Sequence, residues 1–302
     1  MTAFARVATV LADAVASALA SAEGEVAGYI PDLSGVDPER TSAAIVLPDG
    51  STHIAGSATS HRFSLQGAAK LILLGGALDE FGPERVFALV GTEPTPRSGG
   101  RENPMTHAGA MALCGMIEGP AADRIAWIER WAARCCGKAV KVNETVQAAE
   151  RKAGDRNRAL ADSLCSAGVL TGSIDDTLET YFALCSLEAT VVETAHLGCV
   201  LAMRGVAPNG TRIIADATVL RVVSLMSSCG MQDESGAHLM ATGLPAKSGL
   251  SGVIASVAVG RAGIGVCSPR LDGSGVSVRG HIILEHVSRE LGWHFARAGG
   301  VA

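Results

Sequence analysis

The sequence predicts an α+β protein, with a mixed, mainly antiparallel sheet drawn from both chain ends and a helical lobe inserted between its strands. Three observations carry this reading. Short β-prone runs bounded by Gly and Pro lie near the start and the end, and helical patterns fill the middle. Two lysine-containing boxes, far apart in the chain, fall at a helix start and on a strand. The boundaries that follow are a single domain over 1–302, with residues 1–66 and 228–302 forming a sheet lobe and 67–227 a helical lobe. At 302 residues and 48% hydrophobic content the chain can bury a core of that size.

Taken in order, residues 1–22 are rich in Ala and Val, but Asp13 interrupts the apolar run. Val7, Val10, Leu11, Val15 and Leu19 fall at helical spacing, so this stretch reads as an amphipathic helix rather than a leader segment. Residues 31–40 read as a loop. Residues 43–47 and 51–55 read as two strands joined by Pro48-Asp49-Gly50, where Asp-Gly is a hairpin signal. A helix carrying Gly67 and Lys70 runs toward Asp79, with Ser64 placed to cap it. Beyond a Pro- and Gly-rich loop at 92–104, helices are expected at 121–136, 143–164 and 175–204, the last with a break at Cys185-Ser186. Strands at 253–259 and 262–267 and a closing helix at 281–292 complete the pattern.

Composition narrows the function classes. Only 4% of residues are aromatic and the net charge is −5, without any basic block, which disfavours nucleic acid and anionic membrane surfaces. No run of 18 apolar residues predicts a membrane span. The eight cysteines lack Cys-x-x-Cys spacing and the eight histidines lack a helical pair, so neither metal nor cofactor is expected. The thiols read as reduced, which points to a cytoplasmic protein; Cys135 and Cys136 read as inert neighbours.

The chemistry concentrates in the two boxes. Residues three apart on a helix share a face, so a Ser-x-x-Lys pair would hold a hydroxyl beside an amine able to take its proton. Here Lys70 is preceded at that distance by Gly67. Downstream, Lys247-Ser248-Gly249 is similar to the Lys-Thr-Gly strand of penicillin-binding proteins and class A β-lactamases. The order of the boxes and the helical insert between them imply a β-lactamase-like fold.

A closer resemblance covers nearly the whole chain. Val26 to Pro31, Phe63-Ser64-Leu65-Gln66, Asn103-Pro104-Met105 and Gly154-Asp155-Arg156-Asn157 are similar to segments of the serine-dependent glutaminases. So are Tyr181 to Glu188, Ser228-Cys229-Gly230-Met231, Gly243 to Gly249 and Ser268-Pro269. The family hydrolyses the side-chain amide of glutamine through an acyl-enzyme on the serine of Ser-x-x-Lys. The resemblance implies that Tyr29, Gln66, Glu150, Asn157, Tyr181 and Gln232 bind an amino-acid-like substrate. It implies that Lys70 and Lys247 are the two lysines of the site, and that the backbone N–H groups of Gly67 and Leu250 hold an oxyanion. It also implies a homodimer or homotetramer. Glu150 can accept from an ammonium and Asn157 can donate to a carboxylate; seven residues apart, they are expected on one face of one helix.

Three positions depart from the pattern. Gly67 stands where the family has its nucleophilic serine, His107 where it has an asparagine and Gln232 where it has a tyrosine. The stretch between Glu93 and Asn103 is also short. Three readings follow. One is an enzyme acting on the side-chain carbonyl or amide of a glutamine-like amino acid, by hydrolysis or cyclisation, with Lys70 as base, His107 as a further acid or base and no serine ester. The second is an inactive relative that binds a ligand or assembles with a partner. The third is a conventional glutaminase.

Overall fold

The computed structural model describes residues 3–28, 30–96 and 98–297. The chain opens with helix α1 (Ala3–Leu19), a four-residue helix α2 (Pro31–Ser34) and the hairpin β1 (Ser42–Val46) and β2 (Thr52–Gly56). Strand β3 (Phe63–Ser64) leads through a 3₁₀ turn at Gln66–Ala69 into α3 (Lys70–Phe81), followed by α4 (Pro83–Phe87), α5 (His107–Met116) and α6 (Ala121–Cys136). Next come β4 (Lys141–Val142), α7 (Glu144–Lys152), α8 (Asp155–Ser166), α9 (Ile174–Cys185), β5 (Leu187–Ala189) and α10 (Val191–Ala202). The last part holds α11 (Asp216–Cys229), α12 (Ser235–Thr242), β6 (Ala246–Ser248), β7 (Val253–Ala258), β8 (Ala262–Cys267) and α13 (Val278–Leu291).

The large sheet has the order β2-β1-β8-β7-β6, and every pairing in it is antiparallel. Strands from the two chain ends therefore meet in register, Ile45 opposite Ile264 and Val46 opposite Gly263. Because side chains alternate across a strand, this sheet serves two cores. Ala43, Ile45, Ile254, Ile264 and Val266 join Leu11, Val15, Ile283, Leu284 and Val287 of α1 and α13. Ala44, Val46, Val253, Ala255 and Val257 join the larger core with α3, α5, α9 and α10. Burying each of the valines, leucines and isoleucines among them contributes about 2 kcal/mol.

Helix α10 belongs in sequence to the 67–227 segment, yet it packs on β8, β7 and β1. Glycine makes that approach possible. A Cβ at Gly198 would meet the Ser256 carbonyl oxygen at 2.5 Å, and one at Gly263 would collide with the backbone of Ala195 and Cys199.

Several expectations need correction. The 31–40 loop contains α2. The Lys70 helix starts as a 3₁₀ turn holding Gly67, and Ser64 lies in β3 instead of capping it; the turn has no side-chain cap. The expected 143–164 helix is two helices, broken at Ala153-Gly154, where a Cβ on Gly154 would meet the Phe182 ring at 2.7 Å. The break after Cys185 holds β5, the centre of a second sheet β3-β5-β4 whose strands are two or three residues long. Such short segments carry no periodicity to read. The closing helix starts at Val278, three residues before the expected point, because the Ser277 side chain caps it by accepting from Gly280 N–H.

The eight cysteines are unpaired. Burial pushes the Cys135 thiol up to about 12 and Cys136 well above the usual range, so this neighbouring pair is unreactive at neutral pH. No described helix is long and apolar enough to cross a membrane. Gly263→Ala is expected to lower stability by about 2 kcal/mol, because the new methyl must push α10 off the sheet; equilibrium urea unfolding measures it.

Candidate active site

The 3₁₀ turn is fastened from two sides. Gln66 adopts φ +47°, a left-handed conformation that non-glycine residues rarely take, and its buried amide donates to Glu150 Oε1 at 2.9 Å and to Ser64 Oγ at 3.4 Å. The Glu150 carboxylate, 5% exposed near the end of α7, is thereby tied to the turn that opens α3. On its other side the turn meets β6. A Cβ built on Gly67 would sit 2.6 Å from the Ser248 carbonyl oxygen and 3.4 Å from Lys247 Nζ. Gly249 makes the reciprocal approach: its Cβ would lie 2.5 Å from the Leu65 carbonyl oxygen. The space beside Gly67 is therefore taken by strand backbone.

Both lysines are buried against carbonyls, without a carboxylate partner among the described residues. Lys70, the first residue of α3 and 4% exposed, donates to the Met105 carbonyl at 3.0 Å. Burial lowers its pKa to about 8, opposed weakly by the nearby Cys185 and Cys114 thiols. Lys247, 2% exposed on β6, donates to the Ser248 carbonyl at 2.8 Å. Burial, and then the positive charge of Lys70, hold its pKa well below the usual lysine range.

Met105 is held in turn by Asn103, whose Oδ1 accepts from Met105 N–H at 2.9 Å and whose Nδ2 donates to the carbonyls of Glu93 and Pro94. This asparagine pins the short loop and the Lys70 acceptor together. In the sequence it is only one member of an Asn-Pro-Met box, and its positioning role is visible in these three bonds. Thr106 then caps α5 by accepting from Gly109 N–H, which sets His107 as the first residue of that helix. The His107 ring is open to the cavity and lies 6.2 Å from the Tyr181 ring, centroid to centroid. Its pKa falls to about 4, first through desolvation by the cavity walls and then through Lys70 and Lys247. At pH 7 it is therefore an uncharged imidazole.

Tyr181 on α9 is buried, which raises its pKa well above the usual range, and the nearby Cys185 raises it further. Asn157, on α8, is half-buried and sits beyond the break from Glu150, so the two do not share a helix as expected. Gln232 is exposed, with φ +55°. Leu250 follows β6 in a turn and packs with Ile30, Leu33 and Val146. Tyr29 lies outside the described residues.

The ten described residues singled out in the sequence, namely Gln66, Gly67, Lys70, His107, Glu150, Asn157, Tyr181, Gln232, Lys247 and Leu250, all line one cavity of about 1290 Å³. Ser248, Asp155, Arg156 and Asp233 line it too and had no place in the expected site. The cavity exceeds the roughly 300–1000 Å³ usual for small-molecule pockets, so a free amino acid would fill part of it.

A sheet from both chain ends, a lysine at the start of a buried central helix and a second lysine on the facing strand define the β-lactamase-like fold. Within it, residues 24–295 match the family model described as Glutaminase. A glutaminase from Legionella pneumophila (strain Corby) is 40% identical over 95% of this chain and 96% of its own length. Glutaminase 2 of Clostridium perfringens (strain 13 / Type A) is 37% identical over 89% and 92%. Among solved structures, a probable glutaminase from Bacillus subtilis, in complex with 6-diazo-5-oxo-L-norleucine, superposes with a TM-score of 0.90 at 30% identity, covering 95% of this chain and 96% of that one. The chain belongs to the glutaminase family.

The Lys70 shift has a measurable consequence. Between about pH 8 and 10.5 the folded protein holds Lys70 neutral while the unfolded chain binds the proton, so stability rises with pH across that window. Lys70→Met removes the effect. Its stability relative to wild type should fall by about 2 kcal/mol from pH 7.5 to pH 10, measured by chemical denaturation at both values.

Proposed function

We propose that the protein binds a glutamine- or glutamate-like amino acid and acts on its side-chain carbonyl or amide without an enzyme ester at residue 67. The observation that carries this reading is the joining, in one cavity, of a buried carboxylate at Glu150, the amide of Asn157 and two charge-depressed lysines, with glycine at residue 67. The ligand of the Bacillus subtilis neighbour, 6-diazo-5-oxo-L-norleucine, is itself an amino acid of glutamine-like length. Glu150 accepts from the substrate ammonium, and Asn157 donates to its α-carboxylate. That leaves the side-chain carbonyl to the backbone N–H groups of Gly67 and Leu250, neither of which donates to a backbone acceptor among the described residues.

In hydrolysis, water attacks the carbonyl carbon from the open cavity while Lys70 takes its proton. The C–N bond then breaks and the departing nitrogen receives that proton from Lys70, releasing ammonia and the carboxylic acid. A lysine with a pKa near 8 is partly neutral at physiological pH, as a general base must be. His107, uncharged, offers a ring nitrogen as a hydrogen-bonding group to the substrate and is not the principal base.

A second reading, binding without turnover, is favoured by the same glycine together with the strand carbonyl that lies against it. Calorimetry and ammonia release separate the two. Wild type should bind L-glutamine saturably, Glu150→Ala should weaken it about tenfold or more, and ammonia release should fall about a hundredfold in Lys70→Ala. Binding without ammonia selects the second reading, and a flat titration with both L-glutamine and L-glutamate rejects both.

A further inference from the structure

A chain of contacts orders the cavity wall from one end to the other. Glu150 on α7 holds Gln66, Gly67 lies against the Ser248 carbonyl of β6, and Ser248 N–H donates to the Gly230 carbonyl, just past α11, at 3.4 Å. A ligand gripped by Glu150 and Asn157 therefore has its amino-acid group at one end and its side-chain carbonyl at the seam of Gly67 and β6. The end of α11 lies beyond. Thr95, Ser227, Ser228, Cys229 and Asp233 line that far end, and the Cys229 thiol reaches the Thr92 carbonyl at 3.8 Å. Free glutamine stops at its amide nitrogen, beside the seam, whereas the cavity of about 1290 Å³ extends to these residues.

The far end is built of acceptors. Helix α11 is 14 residues long and has no basic residue in its last turn, so the negative end of its dipole is uncompensated there. The carbonyls of Ser227, Ser228 and Cys229 accept no backbone hydrogen bond among the described residues. The Ser227 and Ser228 hydroxyls donate to carbonyls within the helix, at 2.9 and 3.3 Å, which leaves their lone pairs. Asp233 is exposed, and its side chain has no hydrogen bond or ion pair among the described residues. No described lysine or arginine lines this end; Arg156 stands at the other, on α8 beside Asn157.

Resting on the functional reading above, we propose that the ligand is a glutamine whose side-chain nitrogen carries an aminoalkyl chain, with Asp233 and the carbonyl end of α11 receiving the terminal ammonium. A carboxylate and a helix C-terminus both favour a cation, and the lysine wall before them does not. In hydrolysis the water oxygen bonds to the carbonyl carbon, the C–N bond breaks, and the water's proton passes through Lys70 to the departing nitrogen. The products are glutamic acid and a diamine in place of ammonia.

Calorimetry tests this with L-glutamine and with glutamines bearing an aminobutyl, a pentyl or a carboxypropyl group on the side-chain nitrogen. Wild type should bind the aminobutyl form about tenfold more tightly than the pentyl form, and the carboxypropyl form least. Asp233→Asn should abolish most of that preference while leaving L-glutamine affinity and the melting temperature unchanged. Equal wild-type affinity for the aminobutyl and pentyl forms overturns the inference, as does a preference undiminished in Asp233→Asn or an equal loss of L-glutamine binding in that variant. The order of affinities decides this whether or not the amide is cleaved. Binding of L-glutamine but of no derivative overturns this inference alone; a wild-type protein that binds none of the four overturns the functional reading, and this inference with it.

Discussion

The seam between the 3₁₀ turn Gln66–Ala69 and strand β6 is the constraint on which the rest of this structure depends. Two glycines face each other's backbones across it, Gly67 against the Ser248 carbonyl and Gly249 against that of Leu65. Neither approach tolerates a Cβ without a shift of main chain. The turn opens α3, which runs through the larger core, and β6 is the edge of the five-stranded sheet. The seam thus joins the two layers and fixes where both lysines end. Lys70 reaches across to the Asn103–Met105 loop and Lys247 folds back onto its own strand.

An unusual electrostatic site results. Two buried amines and an imidazole share a cavity, each with its charged form penalised by burial; Lys70 further disfavours the charge on Lys247, and both lysines disfavour it on His107. The buried Glu150 is linked to Gln66 and faces the same cavity. What the lysine side of the site offers is donors: amines and backbone N–H groups. Such a wall suits an oxygen-rich ligand end. Gln66 and Gln232 both hold left-handed backbone at the cavity rim, a conformation costing on the order of 1 kcal/mol or more that persists only where its surroundings enforce it. For Gln66 the enforcement is visible in its bonds to Glu150 and Ser64; for Gln232, the Ser235 hydroxyl donates to its carbonyl at 2.7 Å.

Much of this was legible in the sequence because the signals are local. Asp49-Gly50 between β-prone runs marked the first hairpin, and glycine-bounded apolar runs marked β7 and β8. The two lysine boxes mark Lys70 and Lys247, and the family resemblance marks Glu150 and Tyr181; the fold gathers all four into one cavity. What escaped depends on distances between segments remote in sequence. The break at Gly154 is set by the Phe182 ring 28 residues away. The low pKa of His107 comes from cavity walls and two lysines, none of them its neighbours in the chain. The closure of β6 onto Gly67 spans 181 positions and could not be inferred from a missing side chain, which reads equally as vacancy or as contact.

That difference is decided by the stability of Gly67→Ala. Gly67 has no left-handed backbone to defend, so a merely vacant position predicts a gain of about 0.5 to 1 kcal/mol from the stiffer unfolded chain. Contact with the Ser248 carbonyl instead predicts a loss of about 1 to 3 kcal/mol, as the methyl forces strand and turn apart. Equilibrium unfolding in urea reads the sign directly: a lower midpoint is the result predicted here, and an unchanged or higher midpoint would contradict a site closed around glycine.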